Sequence, residues 1–331
     1  MRNLLWALVS AMLASVAACA PAPSAAAVLT LERRIPLGVV NGRIDHLALD
    51  EASGRLFVAE LGNDSVDVVD LKAGKATARI DGLHQPQGVG FVASTHELYV
   101  ADGGDGSVRI FGGAGLTPVG RIDLGNDADN VRVEQGGRLV LVGYGDGALA
   151  VVDARTRAVV SKIPLAAHPE SFQLDPAGGA IYVNLPNAHR IAVVDRVTGH
   201  SNRTLPVGLA FANFPMALDG HGHRLAVVFR APAELRVFDL KVGKAVANLN
   251  VCSDADDVFF DEKRDRIYVI CGQGVVDVVA RHGPTYQRVA RIPTAAGART
   301  AMWSPSDGRL YIAAPARAGA GASILVLRAS E

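Results

Sequence analysis

Apolar residues in this chain fall in short runs separated by turns rich in Gly, Asp, Asn and Pro, and one such run returns seven times. It reads Leu56-Phe57-Val58-Ala59, Leu98-Tyr99-Val100-Ala101, Leu139-Val140-Leu141-Val142, Ile181-Tyr182-Val183-Asn184, Leu225-Ala226-Val227-Val228, Ile267-Tyr268-Val269-Ile270 and Leu310-Tyr311-Ile312-Ala313. The spacing between successive runs is 41–44 residues. Each run is apolar at consecutive positions, which predicts a strand covered on both faces rather than one with a solvated side. Around each run the pattern predicts three more strands. One precedes it, as in Leu47-Ala48-Leu49. Two follow it, as in Ser65-Val66-Asp67-Val68-Val69-Asp70 and Val159-Val160-Ser161-Lys162-Ile163. Val, Ile, Leu and Tyr dominate these strands, with turn residues between them. No segment past residue 28 sustains a helical period.

A four-strand unit repeating near forty residues predicts an all-β fold, a seven-bladed β-propeller with one blade per repeat. The ends of the pattern predict how the ring closes. Leu29 to Leu37 resembles a fourth strand that lacks its other three, and Ser323 to Leu327 is a third strand with nothing after it. The N-terminal strand is therefore expected to complete the last blade, removing the sheet edges an open array would expose.

The Leu98-Tyr99-Val100-Ala101 and Ile181-Tyr182-Val183-Asn184 runs resemble the YVTN-type β-propeller repeat family. So do the turns Asn63-Asp64-Ser65-Val66 and Asp105-Gly106-Ser107-Val108 and the Val-Val-Asp endings at Asp70, Asp153 and Asp195. The likeness spans roughly residues 29–328 and departs from the pattern at Ala226, where the aromatic is lost, and at Arg317 to Gly321, where a loop is longer. It implies a propeller of a secreted or cell-envelope protein, and it implies no particular reaction.

Residues 1–27 read as a secretory leader, with Arg2 ahead of an apolar stretch from Leu4 to Ala18. Two processing sites are offered. Val16-Ala17-Ala18-Cys19 fits a lipobox, in which Cys19 becomes a lipidated N-terminus and the Ala/Pro/Ser segment after it a tether. Ala25-Ala26-Ala27 fits ordinary cleavage before Val28. Residues 28–331 are then a single propeller domain in the periplasm or cell envelope, reaching a membrane only through the lipid anchor. In that oxidising setting Cys252 and Cys271 are expected to form a disulfide. Cys252 leads into the first strand of blade six, Cys271 ends the second, and antiparallel pairing puts them at the same end of the blade.

Charge narrows the partners. The chain has 33 basic and 33 acidic side chains and 5% aromatics. A balanced chain lacks the electrostatic footprint of a nucleic-acid binder, and few aromatics leave little for base stacking.

Aligning the repeats places Asp45, Gln87, Asp129, Glu170, Phe214, Asp256 and Arg299 at equivalent positions leading into the first strands, followed by His46, Asn130 and Asp257. Loops joining second to third strands share that face and add Glu60, Asp64, Asp102, Asp105 and Asp146. Two readings of these carboxylates stand. They are solvated or pair with Arg43, Arg299 and backbone amides, or they hold Ca²⁺ or Mg²⁺, which take carboxylate and carbonyl oxygens. The expected function is a binding or scaffolding module presenting this channel mouth to an envelope protein, a glycan or a small ligand. The alternative is a metal-dependent, lactonase-like hydrolase on the same face. No nucleophile elbow, phosphate-binding loop or dinucleotide fingerprint occurs, so no catalytic residue is named.

Overall fold

The computed structural model describes residues 27–221, 223–317 and 319–331. The leader, including Cys19 and the lipobox, lies outside the described residues. Seven antiparallel sheets of four strands form the seven blades, six of them in simple sequential order. In blade seven the sheet runs from Thr300–Ser304 through Arg309–Ala314 and Ser323–Ala329 to the N-terminal strand Leu29–Pro36. The closure expected from the two incomplete ends is thus the one observed, with Leu31 opposite Leu327 and Ile35 opposite Ile324.

The second strands carry the core. In Glu97–Asp102, Leu98 and Val100 pack toward blade one with Phe57, Val66 and Val68, while Tyr99 and Ala101 pack toward blade three with Val131, Val140 and Val142. This is why the repeat is apolar at consecutive positions: a period of two delivers alternate side chains to two different blade interfaces. Each such Leu, Val or Phe contributes about 1.5–3 kcal/mol by leaving water. The recurring tyrosines also bury a polar tip. Tyr268 Oη donates to Asp261 Oδ2 at 2.7 Å, and Tyr311 Oη donates to Asp307 Oδ2 at 2.7 Å.

Two kinds of register shift shape the blades. One lies between third and outermost strands, at Val68/Val69, Ile110/Phe111, Val151/Val152, Val193/Val194, Val237/Phe238 and Val278/Val279, with Leu31/Arg33 as its counterpart in blade seven. An extra residue on one strand increases local twist, which a propeller blade needs between its axis and its rim. The other lies between first and second strands, at Pro86/Val89, Ala128/Val131, Asn213/Met216 and Ala255/Asp257. These shifts occur where the first strands begin, at the channel mouth.

Candidate binding site at the channel mouth

The second kind of bulge sets the geometry of the mouth. Gln87, Asp129, Phe214 and Asp256 all fall inside these register shifts, so their side chains leave the sheet alternation and turn toward the axis. In blades one, four and seven the corresponding residues Asp45, Glu170 and Arg299 precede the first strand. Gly88 shows how tightly the loops are drawn together: a Cβ there would meet the Asp129 carbonyl oxygen at 2.0 Å. No side chain fits at that position while blades two and three keep this spacing.

Six of the residues expected at the mouth, Gln87, Asp129, Glu170, Phe214, Asp256 and Arg299, line one cavity of about 400 Å³. The others are placed differently. Asp45 is buried against the Arg43 guanidinium. Asn130 is buried below the rim, and among the described residues its side-chain oxygen has no hydrogen-bond partner. His46 and Asp257 lie deeper and line the central channel. Of the loop acids, Asp146 lines the cavity. Glu60 and Asp102 are fully buried instead. Glu60 accepts from Ser65 Oγ at 2.7 Å and from Asn63 at 3.0 Å. Asp64 accepts from the Gln85 amide, and Asp105 pairs with Arg121 at 3.2 Å.

The mouth is not the acidic ring that alignment of the loops suggests. Arg230 and Arg299 converge on Asp256, with Arg230 at 2.6 Å and Arg299 at 2.9 Å, and Arg299 also reaches Asp254 at 3.1 Å. Arg43 carries the charge beside Asp45. The pairing of carboxylates with arginines is therefore present at Asp45 and Asp256. Among the described residues, no three His, Cys, Asp or Glu side chains gather with metal-holding geometry. Arg230 escapes a reading of the first strands because it lies near the end of a second strand, Arg224–Ala231, in the one blade where that strand runs to eight residues.

His168 is the second residue that alignment passed over. It precedes Pro169, which suggests only a local turn, yet it lines the cavity. Its Nδ1–H donates to the Gly145 carbonyl at 2.6 Å, and Nε2 lies 3.7 Å from Asp129. Burial opposes its charge, but Asp129, the Gly145 carbonyl and Asp127 outweigh that and raise it to about 9. Glu170 shifts the other way for a carboxylate. Burial and the Asp129 charge push it up to about 7, with His168 partly compensating. The rim thus offers guanidinium and imidazolium donors beside carboxylate acceptors, with a Glu that changes charge near neutrality.

Below the rim is a buried polar layer. Burial raises Asp45 to about 6 against the pull of His46 and Arg43. Burial also raises Asp257 to about 7, although it accepts the Ala301 amide at 2.8 Å. In His46, burial opposes the charge, but Asp45, Asp257 and Asp129 outweigh it and hold the ring toward its charged form.

The disulfide stands beside this site. Cys252 and Cys271 are bonded, with Cα atoms 5.9 Å apart, as their positions in the blade led us to expect. The link fastens the stretch that carries Asp254 and Asp256 to the end of the next strand. The Cys252 amide donates to buried Asp277 at 2.8 Å, which is itself clamped by Arg291 at 2.6 and 2.7 Å.

No family model and no curated protein matches this sequence, so the likeness to the YVTN-type repeat rests on the residues that carry it. Solved structures do match in fold. A chain of Kuenenia stuttgartiensis hydrazine synthase superposes with a TM-score of 0.74 at 17% identity, covering 84% of this chain and 94% of that one. A chain of the mitotic checkpoint complex superposes with a TM-score of 0.78 at 14% identity, covering 99% of this chain and 100% of that one. At such identities the likeness speaks for the fold alone. On its own sheets and on these neighbours, the chain is a seven-bladed β-propeller.

Proposed function

We propose that this protein is a binding module of the cell envelope whose channel mouth receives a polar ligand, a glycan or a hydrophilic segment of an envelope protein. One observation carries the reading. The mouth cavity is lined almost wholly by charged and amide side chains, with Arg43, Arg230, Arg299 and His168 set among Asp127, Asp129, Glu170 and Asp256. Interleaved donors and acceptors suit a ligand with many hydroxyls or amides, since each group that loses water finds a partner of the right polarity. The envelope location rests on the leader, the Cys19 lipobox and a pair of cysteines suited to an oxidising compartment.

The hydrolase reading draws on Glu170. A carboxyl raised to about 7 in an open polar cavity is suited to proton transfer near neutrality. A Ca²⁺- or Mg²⁺-dependent version would require Asp129, Glu170 and Asp256 to converge, which calls for release of Asp256 from two arginines.

The test is a binding screen of the purified chain against soluble oligosaccharides and peptidoglycan fragments, repeated with Arg299→Ala and Glu170→Gln. Binding that both variants weaken supports the reading. Ligands held equally well by both variants would move the function away from the mouth. A melting-temperature rise with Ca²⁺ or Mg²⁺, reversed by EDTA and lost in Asp129→Ala, would favour the metal-dependent alternative.

A further inference from the structure

A second cavity, of about 560 Å³, occupies the central channel beneath the polar layer. It runs from His46, Arg132 and Asp257 at the mouth side to Glu51, Gly220, Glu262 and Pro305 in turns of the opposite face. Its wall differs in kind from the mouth. Leu49, Phe91, Val133, Leu218, Phe260 and Met302 line it, with Trp303 among them. A volume in the range of small-molecule sites, with apolar walls and a few convergent polar groups at one end, is the usual form of a ligand pocket.

The polar end holds an arginine whose bonding is incomplete. Arg132 rests over the Phe172 ring, 5.7 Å from its centroid. Nη1 donates to the Val131 carbonyl at 2.9 Å and Nη2 to Ser171 Oγ at 3.3 Å. A guanidinium has five N–H donors, and these two bonds use only part of them. Among the described residues no carboxylate stands within 4.0 Å of it, whereas Arg43, Arg230 and Arg299 of the mouth each hold one. Asp257 and Asp129 act on it from farther away, and burial works against its charge. A half-buried cation that lines a cavity and has no ion-pair partner retains free donors aimed into that space, and an anion supplied from outside can take them.

We propose that the central channel binds an amphiphilic monocarboxylate, its carboxylate on Arg132 and its apolar body along the channel wall. The two neighbours in the polar layer fit this ligand. His46 is held toward its charged form and adds a second donor. Asp257 accepts the Ala301 amide and sits near about 7, so below neutrality its negative charge diminishes. Affinity should therefore improve as pH falls from 8 toward 6, provided the ligand's own carboxyl stays ionised. At the far rim, Glu51 accepts from Ser306 and Glu262 accepts from the Gly220 amide, so both acids already have partners there. The proposal is separate from the reading of the mouth, which concerns a polar ligand on the other side of this layer.

The test uses the full chain and the fluorescence of Trp303, titrated with octanoate, octanol and octylamine. Trp303→Phe identifies the signal, since the sequence has only one other tryptophan, Trp6. A charge-assisted pair on Arg132 predicts that octanoate binds at least about tenfold more tightly than octanol, with octylamine weakest. Arg132→Gln should remove the preference by weakening octanoate far more than octanol. Equal affinity for acid and alcohol, tighter binding of the amine, or no binding of octanoate would each overturn the proposal. Should Arg132→Gln fail to fold, the ratio of acid to alcohol on the unaltered chain still decides.

Discussion

Arg230 stacks on Phe214, with the guanidinium carbon 4.1 Å from the ring centroid, and from that platform donates to Asp256 at 2.6 Å. Blade five thereby holds in place an acid that belongs to blade six. Phe214→Ala removes the platform and should lower stability by about 1 kcal/mol, read by urea unfolding. Its larger effect should fall on the mouth, where Arg230 loses its fixed direction. Ligand binding there should weaken more than the stability change explains. A variant that loses stability but binds normally would show that the platform does not orient the site.

Stability should decline as pH rises from 6 to 9. His168 is held at about 9, above the ordinary 6.5, so the folded protein keeps this proton longer than the unfolded chain. Its contribution is complete below about 6.5 and is lost as pH climbs through about 9. Glu170 and Asp257, both raised to about 7, act in the same direction because the folded state also binds their protons more tightly. His168→Gln should flatten the upper part of the profile and cost on the order of 1–2 kcal/mol at pH 6. Urea unfolding at a series of pH values checks this, and an unchanged slope between pH 7 and 9 would count against it.

Asp102 is an acid that the fold would keep better as an amide. It is fully buried, and among the described residues neither carboxyl oxygen has a well-formed hydrogen bond; the nearby His84 amide only partly offsets the burial and the Asp105 charge that raise it to about 7. Glu60, at the matching place in blade one, is long enough to reach Ser65; Asp102 is one methylene shorter and leaves Ser107 Oγ unbonded as well. Asp102→Asn should raise stability by about 1 kcal/mol or more above pH 8, with little effect at pH 5. A loss at both values would mean that the carboxylate has a partner of its own.

Cys252→Ser should lower the melting temperature under oxidising conditions, corresponding to roughly 3 kcal/mol for a loop of this length. In strong reductant the variant and the original chain should melt together. Because the link also braces Asp254 and Asp256 under Arg299, the variant should bind mouth ligands more weakly even where it stays folded.

Cys19→Ala should release the protein from membranes if the lipobox is used. Unchanged fractionation would point to cleavage before Val28.

Ile35 tests the closure of the ring. It is fully buried among Leu47, Leu56, Tyr311 and Val326, joining the first residues of the propeller to its last blade. Ile35→Ala should cost about 2–5 kcal/mol, as for other large core truncations.

The blade count, the strands and the manner of closure were legible along the chain because they depend on local alternation and on a period that repeats. Consecutive apolar residues at Leu98 to Ala101 already mean two buried faces, and a lone fourth strand at Leu29 already means a lone third strand needing it. The disulfide was legible for the same reason, since antiparallel strands bring Cys252 and Cys271 to one end. The mouth was legible only in part. Alignment of the residues that lead into the first strands found the acids there and missed His168, two residues ahead of Glu170, and Arg230, near the end of a second strand. It also could not separate Asp129, at the cavity, from Asn130, buried below it, because a bulge of one residue decides which side chain turns inward. The channel's unpaired Arg132 is a matter of tertiary structure alone. Whether a guanidinium has a carboxylate within reach depends on what neighbouring blades bring to the axis, and no local pattern records distances between blades.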